Sequence, residues 1–235
     1  MRTHSGRTDP SDPQSGYRDG GSAGDRFLHC AGRVMNPARF DTEAAVIGPQ
    51  MPEGFRVAII GSTSFWHEDS AGICTRIGEL LATLASLVLL TGGVPGAGET
   101  VGRAFAKGCR NLGRSPKVIH VLPRGSACWD YGTTLFAGDD MGERREVLGR
   151  LAELYVVVEG GSGTEHEARV AAANGSVLVP VGRSGGHAGA LFARMARPPL
   201  AEEHAWRTLG DFEATPLKIA ESVLDIVDVY AGHGV

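Results

Sequence analysis

The sequence predicts an α/β protein with a Rossmann-like, doubly wound parallel sheet in a three-layer αβα arrangement. From residue 55 onward, short β-branched runs alternate with stretches of helical spacing. The short runs are continuously apolar, which is typical of parallel strands buried on both faces. Three of them end in glycine-rich turns, at residues 61–62, 91–98 and 160–163. Ligands of such sheets bind beyond the carboxyl ends of the strands, so these turns indicate a binding site.

The strands are predicted where four to six mostly apolar residues stand between helical stretches. They lie at residues 56–60, 87–90, 117–122, 154–158 and 177–181. Pro123 ends the third run, and a glycine stands within two residues after each of the others. Each run therefore has a defined end, as expected for strands that lead into βα turns.

The helices are predicted where apolar residues recur at intervals of three and four. They lie at residues 70–85, 99–112, 141–153, 164–174, 188–196 and 216–229. Asp140 and Glu143 stand as the N-cap and third position of one helix, and Gly175 is placed to end another. Helices between consecutive strands imply right-handed crossovers and a parallel sheet.

Residues 1–50 are predicted to be a disordered tail, and residues 51–235 a single domain. The first 50 residues are rich in Gly, Ser, Asp and Arg, with few aliphatic residues and no periodicity. An organelle transit peptide is the alternative interpretation. Six acidic residues in this segment argue against it: Asp9, Asp12, Asp19, Asp25, Asp41 and Glu43.

The composition excludes several classes of function. The net charge is −4, and no basic patch is present, so nucleic acid is not an expected partner. No stretch approaches the ~18 apolar residues of a membrane span, so no membrane is expected. The four cysteines are scattered, and no Cys/His cluster indicates a metal site. No Walker A loop occurs. We expect a cytoplasmic protein with reduced thiols.

The turn from Gly160 to Gly163 joins a strand to a helix and predicts an anion site, usually for a phosphate. It is not a dinucleotide fingerprint, because His166 stands where the third glycine is required. Thr164 and Glu167 form a T-x-x-E pattern with two interpretations. Spacing alone favours a capping box, in which the threonine side chain accepts the backbone N–H of Glu167 and the glutamate side chain accepts that of Thr164. The other interpretation is a carboxylate held beside the ligand.

A second glycine-rich loop, at residues 91–99, also enters a helix. Its structural interpretation is a tight βα turn in which Glu99 complements the helix dipole.

Arg144 stands on the apolar face of its predicted helix, between Val147 and Leu148 in helical projection. A cation buried there is costly unless it is paired. In the structural interpretation, the side chain of Arg144 extends to the rim of the domain or pairs with a structural carboxylate. In the functional interpretation, it points into the cleft toward a phosphate or Glu167. Arg145 flanks it on the same helix.

These patterns resemble those of the LOG (Lonely Guy) family, once labelled lysine decarboxylases, within the SLOG nucleotide-binding superfamily. The PGGxGTxxE motif of that family is matched by residues 159–167, and its M-x-x-R-[KR]-x-x-[ML] helix by residues 141–148. Its TGGGPGxxE loop is matched by residues 91–99, and its Gly-Ser turn by Gly61 and Ser62.

The resemblance implies a Rossmann-like homodimer that takes a small nucleotide-like ligand. Such enzymes cleave the N-glycosidic bond of a nucleoside 5′-monophosphate and release the base and ribose 5-phosphate, with no cofactor required. The resemblance implies that Arg144 and Glu167 are catalytic. The implied phosphate- and nucleotide-binding residues are Gly61, Ser62, Gly92, Gly93, Glu99, Arg145, Gly160, Gly161, Gly163 and Thr164.

The chain departs from the family pattern at several positions. Glu159 replaces the proline of the motif and brings an extra acid to the phosphate loop, while Val94 and Gly98 replace a glycine and a methionine. Residues 125–138, which include Trp129 and Tyr131, resemble an added loop near the mouth of the site. The alternative function is therefore a non-hydrolytic binding protein of the superfamily. It would be a nucleotide sensor or a molybdenum-cofactor carrier, with a bound nucleotide or molybdenum cofactor.

Overall fold

Six parallel strands form one sheet in a computed structural model of the chain, which describes residues 37–233. The strands are β1 (Phe55–Gly61), β2 (Leu87–Thr91), β3 (Val118–Leu122), β4 (Thr133–Phe136), β5 (Leu154–Val158) and β6 (Val177–Val181). Their order in the sheet is β4-β3-β2-β1-β5-β6, and each neighbouring pair is parallel. The Rossmann-like α/β fold is thereby confirmed.

Eight α-helices cover the two faces of this sheet within the described part of the chain. They are α1 (Pro37–Ile47), α2 (Ser70–Leu81), α3 (Ala97–Asn111), α4 (Met141–Leu148), α5 (Ser162–Ala173), α6 (Gly186–Arg194), α7 (Glu203–Thr208) and α8 (Pro216–His233). Helices α2, α3, α7 and α8 supply the core of one face, and α1, α4, α5 and α6 that of the other.

The central strand β1 shows why its run is apolar throughout. Val57 and Ile59 belong to the core on one face, and Ala58 and Ile60 belong to the core on the other. Successive side chains of a strand point to opposite faces, so no side chain of a strand covered on both sides faces water. The three-layer arrangement follows directly from this pattern.

The register places the ends of three strands side by side. Gly61 of β1 pairs with Val158 of β5, and Ile59 pairs with Thr91 of β2. The glycine-rich turns after β1, β2 and β5 therefore meet at one edge of the sheet, as predicted.

Helix α1 lies within the segment predicted to be a disordered tail, so the structure differs from that prediction at residues 37–50. The helix buries Phe40, Ala44 and Ile47, which are spaced four and three residues apart and so share one face. Ion pairs join Asp41 to Arg150 at 2.6 Å and Glu43 to another arginine. Residues 1–36 of the predicted tail lie outside the described residues.

Other boundaries also differ from the predictions. The predicted loop 125–138 contains β4, which pairs with β3 in the register His120–Thr134. The helix predicted at 141–153 ends at Leu148, and α7 was not predicted. No helix among residues 37–233 is long and apolar enough to cross a membrane.

Candidate functional site

A cleft with a volume of ≈ 320 Å³ opens at the sheet edge where the glycine-rich turns meet. It is lined by parts of four segments, within residues 59–66, 92–98, 141–145 and 161–167. Each of these segments carries one of the motifs singled out in the sequence. The motifs therefore surround one site, although about 100 residues separate the first segment from the last.

The N-terminus of α5 forms one wall of the cleft. The helix begins at Ser162, and Gly161 is its N-cap, with no side chain capping it. The N–H groups of a first helical turn have no partner within the helix, so those of Ser162, Gly163 and Thr164 are available to an anion. The capping-box interpretation of Thr164 is therefore wrong, because this threonine lies inside the helix rather than at its start.

Arg144 and Glu167 form a buried ion pair in the cleft wall. Their side chains are 2% and 8% exposed, and Nη1 of Arg144 donates to Oε1 of Glu167. Gly92 makes room for the arginine, since a Cβ atom there would lie 2.8 Å from Nη1. Of the two interpretations of Arg144, the structure supports the one in which it lines the cleft and pairs with Glu167.

Burial acts on the pKa values of both partners. It raises the pKa of Glu167 above its ordinary value, although the positive charges of Arg144 and Arg145 act in the opposite direction. Burial also lowers the pKa of Arg144, against the effect of Glu167. In addition, Nε of Arg144 is buried without a hydrogen-bond partner among the described residues. The pair thus holds two charges in a wall that is largely shielded from water.

Arg145 lies beside the start of α5. A Cβ atom on Gly163 would come within 2.8 Å of Nη2 of Arg145, so the guanidinium lies along the glycine. Among the described residues, none forms an ion pair with Arg145. Arg144, Arg145 and Glu167 are the charged residues of the described cleft lining, which therefore carries a net charge of +1. This charge and the free N–H groups favour an anionic ligand.

Glu159, which replaces the proline of the family motif, does not line the cleft. Its buried carboxylate accepts the hydroxyl of Ser62 at 2.5 Å and the backbone N–H groups of Trp66 at 3.1 Å and His67 at 3.0 Å. The extra acid expected beside the phosphate loop is thus fully engaged by the loop that follows β1. Ser62 lines the cleft but directs its hydroxyl to Glu159.

Nine of the implied site residues line the cleft: Gly61, Ser62, Gly92, Arg144, Arg145, Gly161, Gly163, Thr164 and Glu167. Gly93, Glu99 and Gly160 do not. Glu99 pairs instead with Arg103 at 2.8 Å. Gly160 has a φ of 90°, and a Cβ atom there would collide with Thr164, so this glycine serves the backbone of the turn.

Gly93 also serves the turn after β2 rather than the cleft. Its N–H donates to the hydroxyl of Thr91 at 3.2 Å, and its carbonyl accepts Nε1 of Trp129 at 2.9 Å. The same hydroxyl lies 2.7 Å from Nδ1 of His120, whose Nε2 lies 3.0 Å from the carbonyl of Tyr131. Because that carbonyl only accepts, Nε2 of His120 carries a proton. Burial lowers the pKa of His120, which favours the neutral ring with Nδ1 accepting the hydroxyl of Thr91. The segment expected to be an added loop therefore supports the second glycine-rich turn.

Nine further lining residues are not among the site residues that the resemblance implies: Ile59, Thr63, Ser64, Trp66, Val94, Pro95, Gly98, Met141 and Ser162. Met141 lines the cleft next to the arginines, and Trp66 lies at its mouth with 60% of its surface exposed. The available signal for Trp66 was its position, five residues beyond Gly61 in the loop that leaves the first strand.

A comparison with protein families matches the model of the SLOG cluster4 family to residues 54–197, more than half of the chain. The chain belongs to the SLOG cluster4 family. The matched range includes the whole cleft of this SLOG protein, from the turn after β1 to the helix that carries Glu167. A comparison with curated proteins found no match.

Several solved structures are similar to this SLOG protein. TM1055, a structural genomics target, is 23% identical over 60% of this chain and 82% of its own, with a TM-score of 0.51. The molybdenum cofactor carrier protein from Chlamydomonas reinhardtii is 20% identical over 53% and 74%, with a TM-score of 0.42. DNA processing protein A from Streptococcus pneumoniae is 14% identical over 63% of each chain, with a TM-score of 0.42. The likeness to TM1055 concerns the fold alone.

Proposed function

We propose that this SLOG protein is a nucleoside 5′-monophosphate phosphoribohydrolase, which releases a free base and ribose 5-phosphate. The observation that carries the proposal is the buried pair of Arg144 and Glu167 in the wall of a positively charged cleft. It combines a carboxylate for the chemistry with an anion site for the phosphate.

The phosphate end of the substrate fits the start of α5. The N–H groups of Ser162, Gly163 and Thr164 and the guanidinium of Arg145 all lie at this end of the cleft. Phosphate bound there is remote from the bond that breaks, and its binding energy positions the sugar. This role needs no metal, because the arginine and the helix N-terminus supply the positive charge.

The carboxylate of Glu167 supplies the chemistry at the sugar. When the N-glycosidic bond breaks, its electron pair leaves with the base and positive charge develops at C1′ and the ring oxygen. A carboxylate nearby stabilises that charge and orients the water whose oxygen attacks C1′. The proton that this water loses passes through Glu167 to the departing base. Arg144 holds the carboxylate in place, and water is the second substrate, so no cofactor is required.

One observation favours the non-hydrolytic alternative, a nucleotide sensor or molybdenum-cofactor carrier. Glu167 is 8% exposed and is already paired with Arg144, which limits its access to water. A protein of this kind would hold its ligand in the cleft and leave it intact.

The decisive experiment is an incubation of the purified protein with a panel of nucleoside 5′-monophosphates, followed by mass spectrometry of the free base. We expect base release from at least one member. Glu167→Gln should lower the rate by about 10²–10⁴-fold, the usual contribution of a general acid or base, and should keep ligand binding. Glu165→Gln is the matched control, because Glu165 is exposed on the same helix and does not line the cleft.

Two results would contradict the proposal. Release of base from no member of the panel, with a monophosphate recovered intact from the protein, favours the binding function. Full activity of the Glu167→Gln variant removes the carboxylate from the mechanism. The expected homodimer is tested separately, by light scattering of the same preparation.

A further inference from the structure

Trp66 is a large aromatic residue with an exposed surface at the mouth of the cleft. It is 60% exposed, and it is the aromatic member of the described cleft lining. Ligand pockets are commonly lined by aromatic side chains with a few polar groups, so its place in the cleft lining makes Trp66 a candidate binding residue. The mechanism proposed above uses the phosphate loop and Glu167 but gives Trp66 no role.

The ring of Trp66 lies next to the phosphate loop. A Cβ atom on Gly161, the N-cap of α5, would lie 3.8 Å from Cη2 of the indole. A Cβ atom on Gly186 would lie 2.8 Å from Cζ3. Two glycines therefore make room for the six-membered ring, which borders the wall where the phosphate is expected. A ligand held by the start of α5 would therefore lie close to this ring.

Glu159 fixes the loop that carries Trp66. Its carboxylate accepts the N–H groups of Trp66 and His67 and the hydroxyl of Ser62, so one buried side chain binds both ends of the segment 62–67. The backbone N–H and carbonyl of Glu159 both form hydrogen bonds as well. Its N–H donates to the hydroxyl of Ser184 at 2.8 Å, and its carbonyl accepts the N–H of Ala188 at 2.9 Å.

The backbone of Glu159 explains why this arrangement departs from the family motif. Its φ is 50°, in the left-handed region, whereas the ring of proline holds φ near about −65°. Proline therefore does not fit the backbone found here, and it has no carboxylate for the loop. The replacement of proline by glutamate and the placement of Trp66 are two parts of one local structure.

We propose that Trp66 is the platform on which the flat heteroaromatic base of the ligand stacks, and that Glu159 is the positioning residue that holds it there. Bases stack on aromatic side chains in many nucleotide-binding proteins, and tryptophan offers the largest face for this contact. The proposal rests on the proposed function for its ligand class, a nucleoside 5′-monophosphate. It concerns binding, however, and not the cleavage of the bond.

Paired ligands with and without a base test the role of Trp66. Binding of AMP and of ribose 5-phosphate is measured by calorimetry in wild type and in the Glu167→Gln background, where turnover is suppressed. We expect Trp66→Ala to weaken AMP binding about tenfold, within the range found for loss of one stacked base. Trp66→Phe should weaken it less, and ribose 5-phosphate should bind equally to all variants. Phe212→Ala is the matched control, because Phe212 is an exposed aromatic outside the cleft.

Each outcome separates this proposal from the proposed hydrolysis. AMP binding unchanged by Trp66→Ala overturns the stacking role, even if base release is observed. An equal loss for AMP and ribose 5-phosphate also overturns it, because the base is then not the group that Trp66 contacts. Absence of binding of both ligands to wild type does so as well. AMP binding that depends on Trp66 without any base release supports stacking and contradicts hydrolysis.

The role of Glu159 is tested through the variants Glu159→Gln and Glu159→Ala. In the ligand-free protein, the backbone amides of Trp66 and His67 should exchange with deuterium faster than in wild type, with the alanine variant showing the larger change. AMP binding should weaken while ribose 5-phosphate binding is retained. The double variant Trp66→Ala/Glu159→Gln should bind AMP no more weakly than Trp66→Ala alone. Additive losses, or unchanged exchange, would show that Glu159 does not act through Trp66.

Discussion

The buried pair of Arg144 and Glu167 predicts two single variants whose stability responds oppositely to pH. The side chains are 2% and 8% exposed, so removal of either partner leaves the other as a buried, uncompensated charge. Such a loss costs about 3–5 kcal/mol in the free energy of unfolding. The two residues differ in how they can avoid this cost. A carboxylate can take up a proton at moderate pH, whereas a guanidinium stays charged.

Arg144→Met leaves Glu167 without its partner. Burial already raises the pKa of Glu167 above its ordinary value of 4.5, and loss of the arginine removes a charge that lowers it. A carboxyl group with a raised folded pKa contributes stability below its unfolded pKa and loses it as the pH rises through the folded value. In the folded variant the pKa of Glu167 is therefore higher than in folded wild type. As the pH rises from the wild-type value to the variant value, the stability lost through Arg144→Met should grow by about 1.4 kcal/mol per pH unit.

Glu167→Gln should show no such growth. Glutamine does not titrate, and wild type itself loses stability as Glu167 ionises, so the cost of this variant is constant or falls as the pH rises. The assay is urea unfolding of both variants and of the double variant Arg144→Met/Glu167→Gln at pH 5, 6, 7 and 8. A cost of Arg144→Met that is the same at all four pH values would refute the reasoning. Such a result would mean that water or another group stabilises the charge of Glu167 in the absence of Arg144, and that water reaches the cleft wall.

Three further predictions concern neighbouring residues. Burial lowers the pKa of His120, so stability should fall as the pH drops below the ordinary value of 6.5. His120→Asn should lose less stability than wild type between pH 7.5 and 5.5 in thermal melts, and exposed His204→Asn should follow wild type. Gly92→Ala places a Cβ atom 2.8 Å from Arg144 and should cost about 1–3 kcal/mol in urea unfolding. Arg145→Gln should weaken ribose 5-phosphate binding about tenfold and reduce its salt dependence in calorimetry.

The fold and the place of the cleft were predictable because their signals are local. A run such as β5 is apolar at every position because both of its faces are covered, and this is visible within five residues. The turns after β1, β2 and β5 lie together because parallel strands end at a common edge. Helix α1 carried a local signal too, in the spacing of Phe40, Ala44 and Ile47, but the polar composition around it concealed the pattern.

The roles of individual side chains were less accessible. Thr164 and Glu167 have the same spacing in a capping box as in a binding site, so spacing does not separate the two. The deciding fact is that α4 brings Arg144 against Glu167, 23 residues away along the chain. Glu159 is a similar case, since its partner Ser62 lies 97 residues away.

By itself, therefore, the sequence determined the α/β class, the parallel order of strand and helix, and the edge at which the glycine-rich turns meet. Periodicity and glycine placement are properties of short segments, and they can be interpreted without knowing which segments pack together. The tertiary structure alone decided that Arg144 faces Glu167, that Glu159 binds the loop after β1, and that Trp66 lines the mouth of the cleft. These contacts join segments that are distant in the chain, and a buried charge or an exposed ring acquires its role only from what packing brings beside it.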